Sequence, residues 1–377
     1  MIRLTALTRM AVVVAAAVST AGCSWFGWGE KKTPLPALTS NVLAPGWTAS
    51  IGKSGGNLFV PAYTYRGLVV ASVDGTVQEL ADESGKTVVR FDAKARLRAG
   101  VGVGENVIAL ADEKGRLLVH DGGGRQLWVA DVAGEIVAPP VIAQGAVLVR
   151  TSDGRLIAYN RLDGKRKWVF QRPTPALTLR TNANLVINRG VAYMGLPGGK
   201  LLAIEVDSGK PVWESTLSQP RGSTELERIA DVAGNPVIDD ARICAAVYQG
   251  RTGCLETLSG NVGWSREIGS SGGVALDAKH LFVADSDGNV HALDKSTGAS
   301  VWKLEKLAKR DLGSPVVVSD RILVSDNEGL VHALSADKGE LVGRFATDGS
   351  RVTSLSTLGD RAIAQTEKGN IFSIAVR

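Results

Sequence analysis

The feature that most constrains this chain is a short motif that returns about every forty residues. Eight segments align: DGTVQEL, KGRLLVH, DGRLIAY, GGKLLAI, QGRTGCL, DGNVHAL, EGLVHAL and KGNIFSI. Their glycines are Gly75, Gly115, Gly154, Gly199, Gly250, Gly288, Gly329 and Gly369, so the successive intervals are 40, 39, 45, 51, 38, 41 and 40 residues. A period near forty is that of a four-stranded propeller blade.

Each unit reads as paired strands. AVLVR precedes Ser152-Asp153-Gly154 and RLIAYN follows it, a hairpin whose Asp-Gly supplies positive backbone angles. A second turn, RLDG, ends at Gly164 before the strand KRKWVF. Trp168 falls four residues after Gly164, and the same step sets Trp128 after Gly124, Trp213 after Gly209, Trp264 after Gly260 and Trp302 after Gly298. A large flat side chain at one fixed register suits packing between blades, so these tryptophans read as core. Val89 and Gly343 stand at that position in units one and seven.

The last unit stops at Arg377 without its outer strand, whereas APGWTASIG, containing Trp47, supplies a strand ahead of the first unit. The expected fold is all-β: an eight-bladed propeller of four-stranded antiparallel blades over residues 42–377. The N-terminal strand completes the last blade and closes the ring, which removes open sheet edges. Helical periodicity is nearly absent, and Gly-rich turns punctuate short strands throughout.

Residues 1–22 carry Arg3 and Arg9, then the eight-residue apolar run AVVVAAAV, then STAG before Cys23. This is the order of a secretory signal, and the run is far short of the ~20 residues that span a bilayer. Residues 1–22 are therefore expected to be removed. A cysteine directly after Ala21-Gly22 resembles a bacterial lipoprotein cleavage site, with Thr20 where that pattern usually has leucine. The resemblance implies a lipidated Cys23, a tether over residues 23–41 and, because Ser24 rather than aspartate follows, export to the outer membrane. Trp25, Phe26 and Trp28 in that tether suit a membrane interface, and a disordered tether suits the segment equally well.

Loss of Arg3 and Arg9 lowers the formal charge from +5 to +3, too mild a balance for nucleic acid, which calls for a concentrated basic stripe. No later stretch approaches the apolar length of a membrane helix. Cys244 and Cys254 flank a hairpin turn at Gln249-Gly250 and can face each other across neighbouring strands. A one-residue change of register would put them on opposite faces, so a bridge and two buried thiols both remain open.

ALDKSTGASVW, residues 292–302, resembles the docking motif of quinoprotein dehydrogenases, eight-bladed propellers that hold pyrroloquinoline quinone on the axis. The resemblance covers the scaffold, and a fold does not carry function with it. Those enzymes also use calcium, an acidic base and usually two adjacent cysteines. Here no two cysteines adjoin, and GVGVG, APPVI, GNPVI and GSPVV, expected to line the axis, offer few of the oxygen ligands that calcium wants. His291 and His332 share one register, whereas His120 and His280 show no carboxylate or cysteine partner at a ligand spacing. The glycines at 102–104 and 122–124 lack the Lys-Ser/Thr and helix of a phosphate loop. The reading is a protein with no catalytic residues, metal or cofactor, with a quinone-dependent dehydrogenase-like protein as the alternative.

The repeat is enlarged twice. From the tryptophan position to the next hairpin glycine, ordinary units need 24 to 28 residues, but Trp168 to Gly199 takes 31 and Trp213 to Gly250 takes 37. Both enlargements fall in links between consecutive blades and emerge on the face that carries the Asp-Gly hairpins. The first is QRPTPALTLRTN, in which Leu177 and Leu179 project to one side of an extended chain and Thr178 and Arg180 to the other. The second is SQPRGSTELERIADVAG, where Thr224 and Glu227 have capping-box spacing and point to a short helix carrying Glu225, Arg228 and Asp231. Long loops on rigid scaffolds are commonly functional.

The lipoprotein signal, the eight blades, ALTLR and GSTELERIADV together resemble the BamB family of lipoproteins in the β-barrel assembly (BAM) machinery of Gram-negative outer membranes. That resemblance implies that the insertion face binds the POTRA repeats of BamA. It implies contacts from Leu177, Leu179 and Arg180 in the first loop and from Arg228 and Asp231 in the second. Two leucines would anchor and Arg180 would fix orientation, a division of labour usual at interface hot spots. An extended segment can also add to a strand of the partner or of an unfolded barrel client.

Overall fold

The computed structural model describes residues 32–377 apart from 56, 58, 174, 176 and 180–182. Eight four-stranded antiparallel sheets follow one another along the chain, each ordered from an inner to an outer strand. Blade one runs Ala62–Tyr63, Gly67–Ala71, Thr76–Ala81 and Thr87–Asp92, and the later blades repeat that order.

Burial explains the sequence of each strand. The second strands are packed on both faces by neighbouring blades, so GLVVA and VIALA are continuously buried. Outer strands such as QLWVAD alternate between exposed and half-buried positions, as a sheet with one wet face requires.

The recurring tryptophans pin each blade to the next. The Trp128 indole N–H donates to the Arg161 carbonyl at 2.8 Å, and Trp168, Trp213, Trp264 and Trp302 make the same bond to Val206, Thr257, Lys295 and Ala336. Each ring lies on the turn glycine of the next blade. At Gly164, φ is +69° and a Cβ would sit 2.6 Å from the Trp128 ring, so only glycine fits.

The ring closes as expected. Leu43–Ser50 forms the outer strand of blade eight, pairing Leu43 with Val376 and Thr48 with Phe372 around an irregularity between Pro45 and Thr48. Trp47 then donates to the Asp82 carbonyl of blade one. The glycine at 343 has a steric cause: a Cβ there would lie 2.9 Å from Asn41 Oδ1 and 3.1 Å from Leu43. The N-terminal segment fills the tryptophan slot of blade seven, and Asn41 bonds both the N–H and the carbonyl of Arg344.

Residues 32–41, which the sequence reading gives to the tether, pack along blades six and seven. Lys32 pairs with Glu328 at 2.8 Å, Arg310 donates to the Thr33 carbonyl and Arg344 to that of Pro36, while Leu35 joins the apolar cluster there.

Cys244 and Cys254 are directly opposed on adjacent strands of blade five, buried and joined as a disulfide. The helix expected at 224–231 is a single turn. Its capping box does form: Glu227 accepts from the Ser223 and Thr224 N–H groups and its own N–H donates to Thr224 Oγ1. The chain then leaves the turn because Ala230 and Asp231 are drawn into the core. No helix among the described residues is long and apolar enough to cross a membrane.

Candidate functional site

The two enlarged links meet on one face of the ring. The first connects blades three and four, the second blades four and five, and a single buried acid ties them together. The Leu179 N–H donates to Asp231 Oδ2 at 2.5 Å and the Gly198 N–H to Asp231 Oδ1 at 3.3 Å. The Asp231 carbonyl accepts from the Tyr248 N–H at 2.8 Å, which holds the acid against blade five.

Asp231 is only 3% exposed. Burial raises its carboxyl above the usual range, against the opposing pull of the two N–H groups and of Arg150. Arg150, from blade three, is in turn lowered by burial while the charge of Asp231 pulls it back up. Its Nη1 donates to the Ala183 carbonyl at 3.1 Å, and Asn184 N–H reaches Asn235 Oδ1 at 2.6 Å. The far end of the first link is thus fixed to blades three and five.

The sequence placed Asp231 among the contact residues on a helix with Arg228. The structure separates them: Arg228 is exposed on the turn, 3.9 Å from Glu225, whereas Asp231 lies beneath the surface and positions the leucine loop. Leu177 is 45% exposed on that loop, and Leu179 is half-buried. Arg180 and Cys23 lie outside the described residues. Leu226, 68% exposed at the tip of the second link, was not singled out from sequence, although an apolar residue inside the polar TELER turn is a readable signal. Arg150 was missed as well, because nothing local marks an arginine that serves a loop from another blade.

Two cavities adjoin Leu179. One, about 650 Å³, lies under the first link and is lined by Val137, Arg150, Met194, Gly198 and Pro220. The other, about 560 Å³, lies on the axis among Asn235, Tyr248, Gly273, Ser314 and Thr353. GNPVI and GSPVV line this axial space and GVGVG and APPVI a third cavity beside it, in line with the sequence reading. Among the described residues no three His, Cys, Asp or Glu side chains gather as a metal site would require.

Three of the four histidines are paired one by one with carboxylates, while His120 is buried with its ring 5.2 Å from that of Phe91. His291 bonds Asp285 at 2.7 Å and His332 bonds Asp326 at 3.0 Å, each tying a hairpin to its following strand. His280, expected to lack a partner, bonds Asp277 at 3.1 Å, a local contact three residues away that a search for ligand spacings overlooks. Burial alone would raise Asp285, but the bonds from His291 and Asn289 outweigh it and hold the carboxyl at about 2.

The geometry joins two enlarged links on a closed eight-bladed ring. A family model described as outer membrane protein assembly factor BamB matches residues 73–304. The chain belongs to the BamB family. The assembly factor BamB of Nitrosomonas eutropha is 39% identical over 335 residues, covering 88% of this chain and 82% of that one. That of Bordetella pertussis is 35% identical over 374 residues, 97% of this chain and 96% of its own.

The crystal structure of BamB from Moraxella catarrhalis superposes with a TM-score of 0.81 at 24% identity, over 88% of this chain and 99% of that one. The quinohemoprotein alcohol dehydrogenase of Comamonas testosteroni superposes with a TM-score of 0.69 at 12% identity, over 90% of this chain and 78% of that one. These structural likenesses speak to the fold alone.

Proposed function

We propose that this protein is a non-enzymatic scaffold whose insertion face docks BamA, the two enlarged links gripping its POTRA repeats. As a BamB-family member it is an assembly factor for outer-membrane proteins and works at the periplasmic side of the outer membrane within the BAM complex. Lipidation at Cys23 would hold it there, with residues 23–31 as the tether ahead of the packed segment. Unfolded barrel clients are a further class of partner for the same extended loop.

The observation that carries the docking reading is the pinning of an exposed leucine loop by Asp231 and Arg150. A loop with two apolar side chains loses entropy on binding, and a loop already fixed by buried hydrogen bonds has less to lose. Leu177 and Leu179 supply apolar area, Arg180 and Arg228 supply orienting charge, and Asp231 acts by positioning. Leu226 extends the apolar contact to the second link.

Affinity purification from Gram-negative envelopes tests the reading. The wild-type chain should bring down BamA, and folded Leu179→Ala/Arg180→Ala should not. Capture of BamA by the double variant at wild-type yield would overturn the assignment. The quinone-enzyme alternative predicts calcium-dependent uptake of pyrroloquinoline quinone with an absorbance change, and a blank titration removes it.

A further inference from the structure

Six blade junctions share one arrangement, in which an indole from one blade caps a turn of the next. The seventh, at Gly343, is filled by Asn41–Leu43. The junction between blades one and two is unlike all of these. Val89 stands at the tryptophan position, and opposite it stands Glu79, where other blades place Val119, Ala158, Ala203, Cys254 or Ala292 opposite their tryptophans. Phe91, two residues further on, covers Gly124, where a Cβ would lie 2.4 Å from its ring. The turn is thereby capped, and Phe91 joins the apolar cluster of Val103 and Ile108, but no described residue refills the slot nearer the blade's inner end.

What remains is a cleft of about 490 Å³ lined by Tyr65, Arg66, Val89, Val103, Ile108 and Gly122. Its floor corresponds strand for strand to the seat of Trp128: Val103 pairs with Ile108 as Ile142 pairs with Val147, and Ile142 and Val147 pack in the cluster that holds Trp128. In that seat the indole N–H meets the carbonyl of Arg161, the first residue after the strand that ends at Asn160. In blade two the strand ends at Asp121 and the corresponding carbonyl is that of Gly122, which no indole among the described residues reaches.

The polar wall is built as well. Buried Glu79 accepts from Arg66 Nε at 3.1 Å, Arg66 Nη2 at 2.5 Å and Thr64 Oγ1 at 2.8 Å. Both carboxylate oxygens are thus satisfied, and the Arg66 side chain, 40% exposed, is accessible to a carboxylate or carbonyl. Tyr65 stands at the mouth with 90% of its surface in water, its ring 5.6 Å from the Arg66 guanidinium. A nearly bare aromatic ring beside a cleft of this size offers a stacking surface to an incoming side chain.

We propose that this cleft receives a tryptophan side chain from an extended segment of a partner polypeptide. The indole would sit on Val89, Val103 and Ile108, donate to the Gly122 carbonyl and stack against Tyr65, while a flanking acidic residue meets Arg66. The cleft opens where first-to-second and third-to-fourth strand turns emerge, the face opposite the enlarged links. A partner can therefore occupy it while the insertion face is engaged.

The test uses the mature chain and two fluorescein-labelled pentapeptides, one with glutamate and tryptophan at its centre and one with alanine in place of the tryptophan, read by anisotropy. The tryptophan peptide should bind and the alanine peptide should not. Glu79→Ala/Val89→Trp recreates the Ala–Trp pairs of other blades and should fill the slot, lowering affinity at least tenfold while keeping the melting temperature. Equal binding of both peptides, or undiminished binding to the folded double variant, overturns the proposal. If the double variant does not fold, Tyr65→Ala alters only the mouth and must weaken the tryptophan peptide several-fold. Unchanged affinity there overturns the proposal equally.

Discussion

The Leu179 N–H donates to the Asp231 carboxylate at 2.5 Å, and this one bond makes the two enlarged links a single surface. Asp231→Ala would leave the Leu179 and Gly198 N–H groups without acceptors, at about 1–3 kcal/mol for each that stays buried. Hydrogen exchange should quicken in residues 172–185 and stay slow in the blade strands. Asp231→Asn keeps one acceptor and should recover part of the protection. Unchanged exchange in Asp231→Ala would remove its positioning role.

Acid should weaken the fold through Asp285, whose folded value of about 2 lies below the ordinary 3.8. Its stabilisation is complete above pH 3.8 and is lost as pH falls toward 2, roughly 2 kcal/mol by linkage. Asp231, raised by burial, has the opposite sign: its share is greatest at low pH and declines as pH rises through its raised value. Urea midpoints at pH 5 and pH 2.5 measure the balance, and Asp285→Asn should flatten the acid loss.

Removing the bridge with Cys244→Ala/Cys254→Ala should lower stability by about 2–4 kcal/mol, seen as a lower thermal midpoint that no longer responds to dithiothreitol. The pair lies inside blade five, so partner binding at the insertion face should persist.

Gly164→Ala forces a Cβ to within 2.6 Å of the Trp128 ring at a φ of +69°. The left-handed backbone alone costs roughly 1–2 kcal/mol, and displacement of the ring adds to it. The measurable result is a destabilised propeller whose tryptophan emission shifts to the red.

Much of this structure is legible in the sequence because blades repeat their landmarks. The hairpin glycines fix the period, and the spare strand with Trp47 shows how the ring closes. Substitutions that answer to distant residues are not legible: Gly343 makes room for Asn41, and Val89 opposes Glu79 in a junction with its own cleft. At the insertion face, spacing exposes the two links and the capping box. It does not reveal that Asp231 turns inward, because that choice depends on Arg150 and on the Leu179 amide, both far away in the chain.

A binding titration of the soluble POTRA region of BamA against the wild-type chain and Leu179→Ala/Arg180→Ala, both shown folded by thermal melting, tests docking at the insertion face most directly. With the two side chains proposed as contacts removed, the expected result is at least a tenfold weaker Kd, about 1.4 kcal/mol or more. The same Kd for both proteins would contradict the insertion face as the site of docking.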